Sequence, residues 1–310
     1  MDQLPLIFIV GPTACGKSAI ATELGRSIDG EIISCDALQV YREIDIASDK
    51  PSAEVRRLLP HHLIDIVSVT EDFNVAHYRH WAIDAIEDIS KRGKRTLIVG
   101  GSGMYMSILL DGIFEGMPVN EELKQELTEE LSQKGPAFLH ERLIQLDPLA
   151  AKKIHPNDPQ RILRALMVVQ STGEPLSALQ QKREGLWGTR PIQIFALNRP
   201  REELYQRVEA RIDAMFEKGL VEEIRAIASL PLSQTAQKLI GIPEVMGYLK
   251  DEYELERAKY LMKLNTRHYV KRQLTWFRRD KRLTWIDMAP GQSNQEIVGI
   301  IKESFQYGRL

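Results

Sequence analysis

The sequence predicts an α/β protein: a parallel sheet flanked by helices, with an all-helical segment inserted into it. Two observations carry that expectation. Short apolar runs at residues 6–10, 31–34, 96–99 and 191–197 alternate with helical stretches, the pattern of βαβ units. Residues 120–179, in contrast, are charged, helix-forming and periodic.

The elements follow in order. Residues 6–10 (LIFIV) have the unbroken apolar character of a strand covered on both faces. A glycine-rich turn leads into a helix over 18–28. Residues 31–34 make a second short strand that ends at Cys35-Asp36. A helix over 75–92 passes through Gly93 to a third buried strand at 96–99, stopped by Gly100-Gly101. The character of the chain changes at 112–118. The helical insertion that follows is interrupted at Gly135-Pro136, at Pro148 and across 155–159. PIQIFAL at 191–197 returns the chain to the sheet. Long helices then run over 201–218, closed by Gly219, and over 255–279. The expected division is a core of residues 1–111 and 191–310 around a helical domain of 112–190.

Composition removes several classes. The 310 residues are 43% hydrophobic and 27% charged, as in an ordinary globular protein. The longest apolar runs are too short to span a bilayer, and no basic segment with a long apolar core opens the chain. The expectation is a cytoplasmic protein with no membrane partner. Two cysteines, Cys15 and Cys35, make neither a disulfide framework nor a zinc site of ordinary ligand number. With 41 basic and 43 acidic residues the net charge is −2, so a nucleic-acid partner has to be argued from local clustering.

Ligands of a parallel sheet gather at the carboxyl ends of its strands. Three such ends carry polar or glycine-rich sequence here: residues 11–18, 36–41 and 100–105. The first, Gly11-Pro12-Thr13-Ala14-Cys15-Gly16-Lys17-Ser18, fits GxxxxGK[ST] in full and lies between an apolar strand and a helix. This is a P-loop, and the core is expected to be P-loop NTPase-like. Glycines let backbone N–H groups turn toward a phosphate, the helix start adds partial positive charge, Lys17 adds a full one, and Ser18 can ligate Mg²⁺.

The loop tells that phosphate is bound, not what is done to it. An ATP-hydrolysing relative would end a neighbouring apolar strand in an aspartate that holds magnesium. Here the strand at 96–99 ends in Gly100-Gly101-Ser102, and Ile64-Asp65 is only a weak substitute. ATP hydrolysis is disfavoured, although the motif alone does not say whether ATP binds. Asp36 reads either as a turn or N-cap aspartate or as a general base beside the bound phosphates. His61-His62 lie on an extended segment, where adjacent side chains diverge, so they are expected to be structural.

Near the C-terminus, Arg267, His268, Lys271, Arg272, Arg278, Arg279, Lys281 and Arg282 face one acid, Asp280. At about 100° per helical residue, Arg267, Lys271 and Arg278 align, with Arg272 and Arg279 on one flank. Tyr269, Val270, Trp276 and Phe277 fall on the other side as an apolar seam. The arrangement suits either a solvated helix face or RNA phosphates. Gln160 and Arg164 share a helix face with Arg161 beside them, behind Asn157 or Asp158 as N-cap. Trp187 is expected to be a packing residue.

Eight segments resemble the bacterial tRNA dimethylallyltransferases (isopentenyltransferases): GPTACGKS at 11–18, DALQVY at 36–41, DIASDKP at 45–51, HHLIDI at 61–66, GGSGMY at 100–105, HPNDPQRILRAL at 155–166, RVEARIDAM at 207–215 and TRHYVKRQLTWFR at 266–278. The resemblance runs over nearly the whole chain. It implies transfer of a dimethylallyl group from dimethylallyl diphosphate to N6 of the adenosine just 3′ of the anticodon, with Mg²⁺ as cofactor. The P-loop (Gly11, Pro12, Thr13, Ala14, Cys15, Gly16, Lys17, Ser18) would then hold the donor's diphosphate, with Ser18 on the metal. Asp36 matches the family's general base, Ser102 its hydroxyl near the reacting centre, and Arg211 its diphosphate clamp.

The tRNA anticodon stem-loop would meet Asp36, Ala37, Leu38, Gln39 and Ser102. Further tRNA contacts would come from Lys124, Gln160, Arg161, Ile162, Leu163, Arg164, Arg267 and Lys271. A monomer is expected. This sequence departs from the family pattern at Cys15 and Ala37, where Ser is usual, at Ser102, where Thr is usual, and at Ile242-Pro243, where Tyr-Lys is usual. A kinase for a small acceptor, a prenyltransferase for free adenine nucleotides, and a non-catalytic RNA-binding P-loop protein stand as alternatives.

Overall fold

The computed structural model describes residues 4–114 and 120–306. The expected change of character at 112–118 therefore lies partly outside the described residues. The chain forms two compact units: Met1–Leu110 with Trp187–Leu310, and Asp111–Leu186.

The first unit is built on a six-stranded sheet. In chain order its strands are β1 (Leu6–Val10), β2 (Gly30–Ser34), β3 (His61–His62), β4 (Arg95–Gly100), β5 (Ile192–Asn198) and β6 (Thr284–Asp287). They lie side by side as β3-β2-β4-β1-β5-β6, every pair parallel. The P-loop NTPase-like parallel sheet is present. Every residue of β1 is buried, as its apolar run requires at the centre of a sheet covered on both faces. Each such side chain contributes about 1.5–3 kcal/mol of hydrophobic stabilisation.

In register, Val10 of β1 pairs with Gly100 of β4, and Ser34 of β2 with Val99 of β4. The strand ends that lead to the P-loop, to Asp36 and to Ser102 therefore emerge along one edge of the sheet. Because β4 lies between β1 and β2, Asp36 reaches the P-loop across the end of β4 rather than from the next strand.

The helices in chain order begin with α1 (Lys17–Ser27), α2 (Ala53–Leu58), α3 (Val75–Lys91) and α4 (Gly103–Asp111). The helical unit supplies α5 (Glu121–Leu146), α6 (Pro148–Lys153), α7 (Pro159–Thr172) and α8 (Leu176–Gln181). The first unit continues with α9 (Arg201–Glu217), α10 (Leu220–Ile227), α11 (Ile242–Leu249), α12 (Leu255–Phe277) and α13 (Asn294–Gln306). The departure at Ile242-Pro243 opens α11 behind Gly241. Proline is tolerated in a first turn because its missing N–H has no helical partner there.

The helical unit closes on Leu127, Leu139, Leu143, Ile162, Ala165 and Leu166. Its expected interruptions are real. Gly135 has φ 80 and bends α5 before Pro136, and Asp147 caps α6 by accepting from Ala150 N–H at 3.0 Å. Asp158, rather than Asn157, caps α7 by accepting from Arg161 N–H at 3.2 Å.

Candidate active site

The P-loop is a cradle whose carbonyls are drawn outward. Arg199 Nε donates to Cys15 O at 3.0 Å and Arg207 Nε to Ala14 O at 2.8 Å. Those oxygens are engaged, and Ala14 stands at φ 67, in the left-handed region. Gly16 sits at φ 103 as the N-cap of α1, a conformation that a side chain would strain. The first helical bond of α1 runs from Ile20 N–H to Gly16 O, so the N–H groups of Lys17 and Ser18 precede any helical partner. Lys17 Nζ rests on Pro12 O at 2.8 Å, and Cys15 is buried within the loop.

A cleft opens over this edge of the sheet and has two chemically distinct halves. Lys17, Ser18, Ser34, Gln39 and Asp49 line the polar half. The apolar half is walled by Val208, Ile212, Met215, Leu239, Ile240 and Met262. Thr13, Asp36, Ser48 and Arg211 line both halves and mark where they meet. Arg211 comes from α9, with Nε 3.4 Å from Asp49 Oδ2. Asp36 Oδ1 accepts from Leu38 N–H at 2.9 Å, so its carboxylate is both a turn former and a wall of the cleft. Tyr269 and Arg272 of α12 complete the apolar half, the guanidinium 5.6 Å from the ring.

The thiol and the phenols around Asp36 stay neutral. Burial pushes the Cys35 thiol up to about 12. Burial likewise raises the phenols of Tyr78, Tyr105 and Tyr269, and the charge on Asp36 adds to each. Behind it the rings of Tyr78 and Tyr105 stack at 3.9 Å.

The loop between Asp36 and the second half of the site is held from below by residues that sequence reasoning missed. Glu223 of α10 accepts from three successive N–H groups, those of Asp45 and Ile46 at 2.7 Å and of Ala47 at 2.8 Å. Lys50, its side chain 2% exposed, reaches Tyr41 O, Asp45 and Asp65, each at 2.6 Å. Asp65 also pairs with Arg56 at 2.5 Å. This removes Asp65 as a stand-in for the magnesium aspartate: it serves the loop and does not line the cleft. Burial raises the Asp65 pKa, but the hydrogen bonds from Lys50 and Arg56 outweigh it and leave the carboxyl below its usual 3.8.

A depressed carboxyl pKa contributes stability above the unfolded value and loses it as pH falls through the folded one. The melting-temperature gap between wild type and Asp65→Asn, set at pH 7, is therefore expected to narrow below about pH 4. Lys50→Met is expected to destabilise by about 3 kcal/mol, the lower end for breaking a buried pair, as read by denaturant titration.

Other expected residues fall in several places. Ala37 and Leu38 line the apolar half of the cleft and Gln39 the polar half. Ser102 opens α4: its N–H donates to Cys35 O at 3.1 Å and its Oγ accepts from Tyr105 N–H at 3.4 Å, and it is not among the cleft-lining residues. In the helical unit, Gln160, Arg161 and Arg164 are exposed on α7, and Lys124 pairs with Glu121 at 3.0 Å on α5. Ile162 is a correction: its side chain is fully buried in the core of that unit, with Leu163 packed against the same core. Ile162 holds α7 and offers no side chain to RNA, whereas Leu163 is half-buried.

On α12 the aligned stripe is also revised. Arg267 is paired with Glu209 and lies 5.7 Å from the Tyr205 ring. Lys271 and Arg278 are exposed beside a separate groove with Arg201, while Arg272 turns to the cleft. Trp276 is 39% exposed because the helix docks through Val270, Gln273 and Phe277, which leaves Trp276 at the edge of the buried arc. Trp187 is likewise 45% exposed, with the Arg282 guanidinium 5.0 Å from its ring. His62 Nε2 lies 2.7 Å from Glu31, whereas His61, with Nδ1 2.7 Å from Leu59 O, lines the polar half of the cleft.

The sequence model of the IPP transferase family matches residues 39–280. The chain belongs to the IPP transferase family. It is 45% identical over 295 residues to the tRNA dimethylallyltransferase of Geobacter metallireducens, covering 94% of each chain. It is equally identical to that of Moorella thermoacetica over 293 residues, 92% of this chain and 90% of the relative. Among solved structures, the tRNA isopentenylpyrophosphate transferase of Bacillus halodurans superposes with a TM-score of 0.70 at 34% identity, covering 98% of this chain and 97% of that one. A eukaryotic dimethylallyltransferase acting on tRNA reaches 0.83 at 26% identity, over 99% of this chain and 80% of its own. The P-loop, Asp36 and Arg211 belong to the first unit, and residues 160–164 to the helical one.

Proposed function

We propose that this IPP transferase moves a dimethylallyl group from dimethylallyl diphosphate to N6 of the adenosine just 3′ of the anticodon in tRNA, releasing diphosphate. The observation that carries the reading is the cleft itself. A P-loop cradle and an apolar chamber meet at one carboxylate and one arginine, as a donor with an anionic head and a hydrocarbon tail requires.

The diphosphate lies against the N–H groups of the cradle, Lys17 and Arg211, and the allyl group points to the apolar wall. The adenine, extruded from its stack at a cost of a few kcal/mol, presents N6 to Asp36. As the bond from N6 to the allylic carbon forms, the carbon–oxygen bond to diphosphate breaks. The N6 proton passes to Asp36, whose help matters because the amine lone pair is delocalised into the ring. Negative charge growing on the leaving oxygens meets groups already aimed at it.

Mg²⁺ would be held at the Ser18 hydroxyl, beside the diphosphate. Among the described residues no cluster of three or more His, Cys, Asp or Glu would cage it. When bound it neutralises diphosphate charge. Exposed Gln160, Arg161 and Arg164, with Lys271 and Arg278 on the other unit, supply RNA contacts whose strength falls with salt. Among the described residues no helix is long and apolar enough to cross a membrane; we place the protein in the cytoplasm as a monomer.

The deciding experiment incubates the protein with dimethylallyl diphosphate, Mg²⁺ and unmodified tRNA, then digests the RNA and seeks N6-dimethylallyladenosine by mass spectrometry. Absence of product together with ATP turnover on a small acceptor would replace this reading with a kinase.

A further inference from the structure

We infer that Gln273 is a positioning residue that sets the distance between the phosphate cradle and the turn carrying Ser102, and so governs the transfer step rather than donor capture. Gln273 lies on α12 and is 5% exposed. Its Oε1 accepts from Thr13 N–H at 2.9 Å, and its Nε2 donates to Gly101 O at 2.9 Å. One planar amide thus joins the turn after β1 to the turn after β4, two strands that pair directly. The fit is close: a Cβ on Gly101 would stand 2.2 Å from Nε2. No side chain can occupy position 101 while the amide stays where it is.

The bridge leads toward the reacting groups and takes from the cradle only the Thr13 N–H. Beyond Gly101, Ser102 N–H binds Cys35 O, and Cys35 is followed by Asp36. Lys17 and Arg211, the cations assigned to the diphosphate, make no hydrogen bond to Gln273; Lys17 rests on Pro12 and Arg211 on Asp49. Gln273 also occupies the Thr13 N–H, so that group is spent on the scaffold and the donors left for phosphate begin after it. An amide of this length is required. Methionine fills the space without either bond, and asparagine has both functions but is one methylene too short to span the two backbones.

The inference rests on the transferase reading of the cleft. Displacement needs the reacting atoms held about 3–3.5 Å apart, and a misplacement of about 1 Å costs about 100-fold in rate. We therefore expect Gln273→Met and Gln273→Asn each to lower kcat about 10- to 100-fold, with KM for dimethylallyl diphosphate moving less than about threefold. Gly101→Ala is expected to imitate them by displacing the amide. In the double variant Gly101→Ala/Gln273→Ala the effects should fail to multiply, because both substitutions break one contact.

The inference is overturned by a rise in donor KM at constant kcat, by full rescue with Asn, or by multiplying effects in the double variant. Hydrogen exchange at the Thr13 amide gives a readout independent of turnover. It should speed up in Gln273→Met while the central β1 amides stay protected. An unchanged Thr13 rate refutes the bridge. Wild type that forms no dimethylallyladenosine, yet shows the faster Thr13 exchange on substitution, refutes the transferase reading and leaves the clamp standing.

Discussion

Asp36→Asn is expected to lower kcat for dimethylallyl transfer by about 10²–10⁴-fold, the range of a general base. Asparagine keeps an oxygen that can accept from Leu38 N–H, the 2.9 Å bond that shapes the turn. It cannot take the N6 proton. The loop should stay folded, and KM for dimethylallyl diphosphate should change by less than about threefold, since the proposed reading gives the diphosphate to Lys17, the cradle and Arg211. Asp36→Ala should lose transfer to the same extent while also loosening the turn. Steady-state kinetics with both substrates varied, beside direct donor binding by calorimetry, separates the two effects. Equal loss of binding and turnover in the asparagine variant would make Asp36 a structural residue, and the base would have to be sought elsewhere.

The second large effect is expected at Arg211. Arg211→Gln should cost about 10²–10³-fold in kcat, the magnitude for removing one preorganised group from a developing oxyanion. Its guanidinium lies at the border of the polar and apolar halves, where the proposed reaction would break the bond to the leaving oxygen. The pair with Asp49 holds the side chain there at 3.4 Å, and Asp49 is 55% exposed, so the pair itself adds little stability. The melting temperature of Arg211→Gln should therefore stay near that of wild type. If kcat is kept and only donor KM rises, Arg211 binds ground state and transition state alike and is not a catalytic group.

Much of the fold was legible because it is written locally. The apolar runs at 6–10, 96–99 and 191–197 became β1, β4 and β5, and the P-loop and its helix followed from one uninterrupted motif. Other elements were not legible, for local reasons too. β6 is four residues, TWID, and β3 is two, lengths too short for a period to declare itself. α11 begins on Gly-Ile-Pro, which reads as a turn until Glu244 is seen to accept from Gly241 N–H at 2.7 Å and close the first turn. The helix-wheel reading of α12 placed Trp276 in the packed seam. Periodicity alone does not give the direction from which a helix is buried, and here that direction is centred on Gln273.

By itself the sequence determined the chemical parts: a phosphate cradle, a carboxylate at a strand end, an arginine on a helix and a basic C-terminal helix. Those depend on residue type and near neighbours, which a linear pattern carries. The tertiary structure decided how they meet. It placed β4 between β1 and β2, so that Asp36 faces the P-loop across Gly100 and Gly101. It turned the cradle's carbonyls toward Arg199 and Arg207, set Glu223 and Lys50 beneath the loop after Asp36, and passed the Gln273 amide between two turns. Each of these is a hydrogen bond or ion pair between residues far apart in the chain or in different elements. Its existence depends on distances that only the folded sheet supplies.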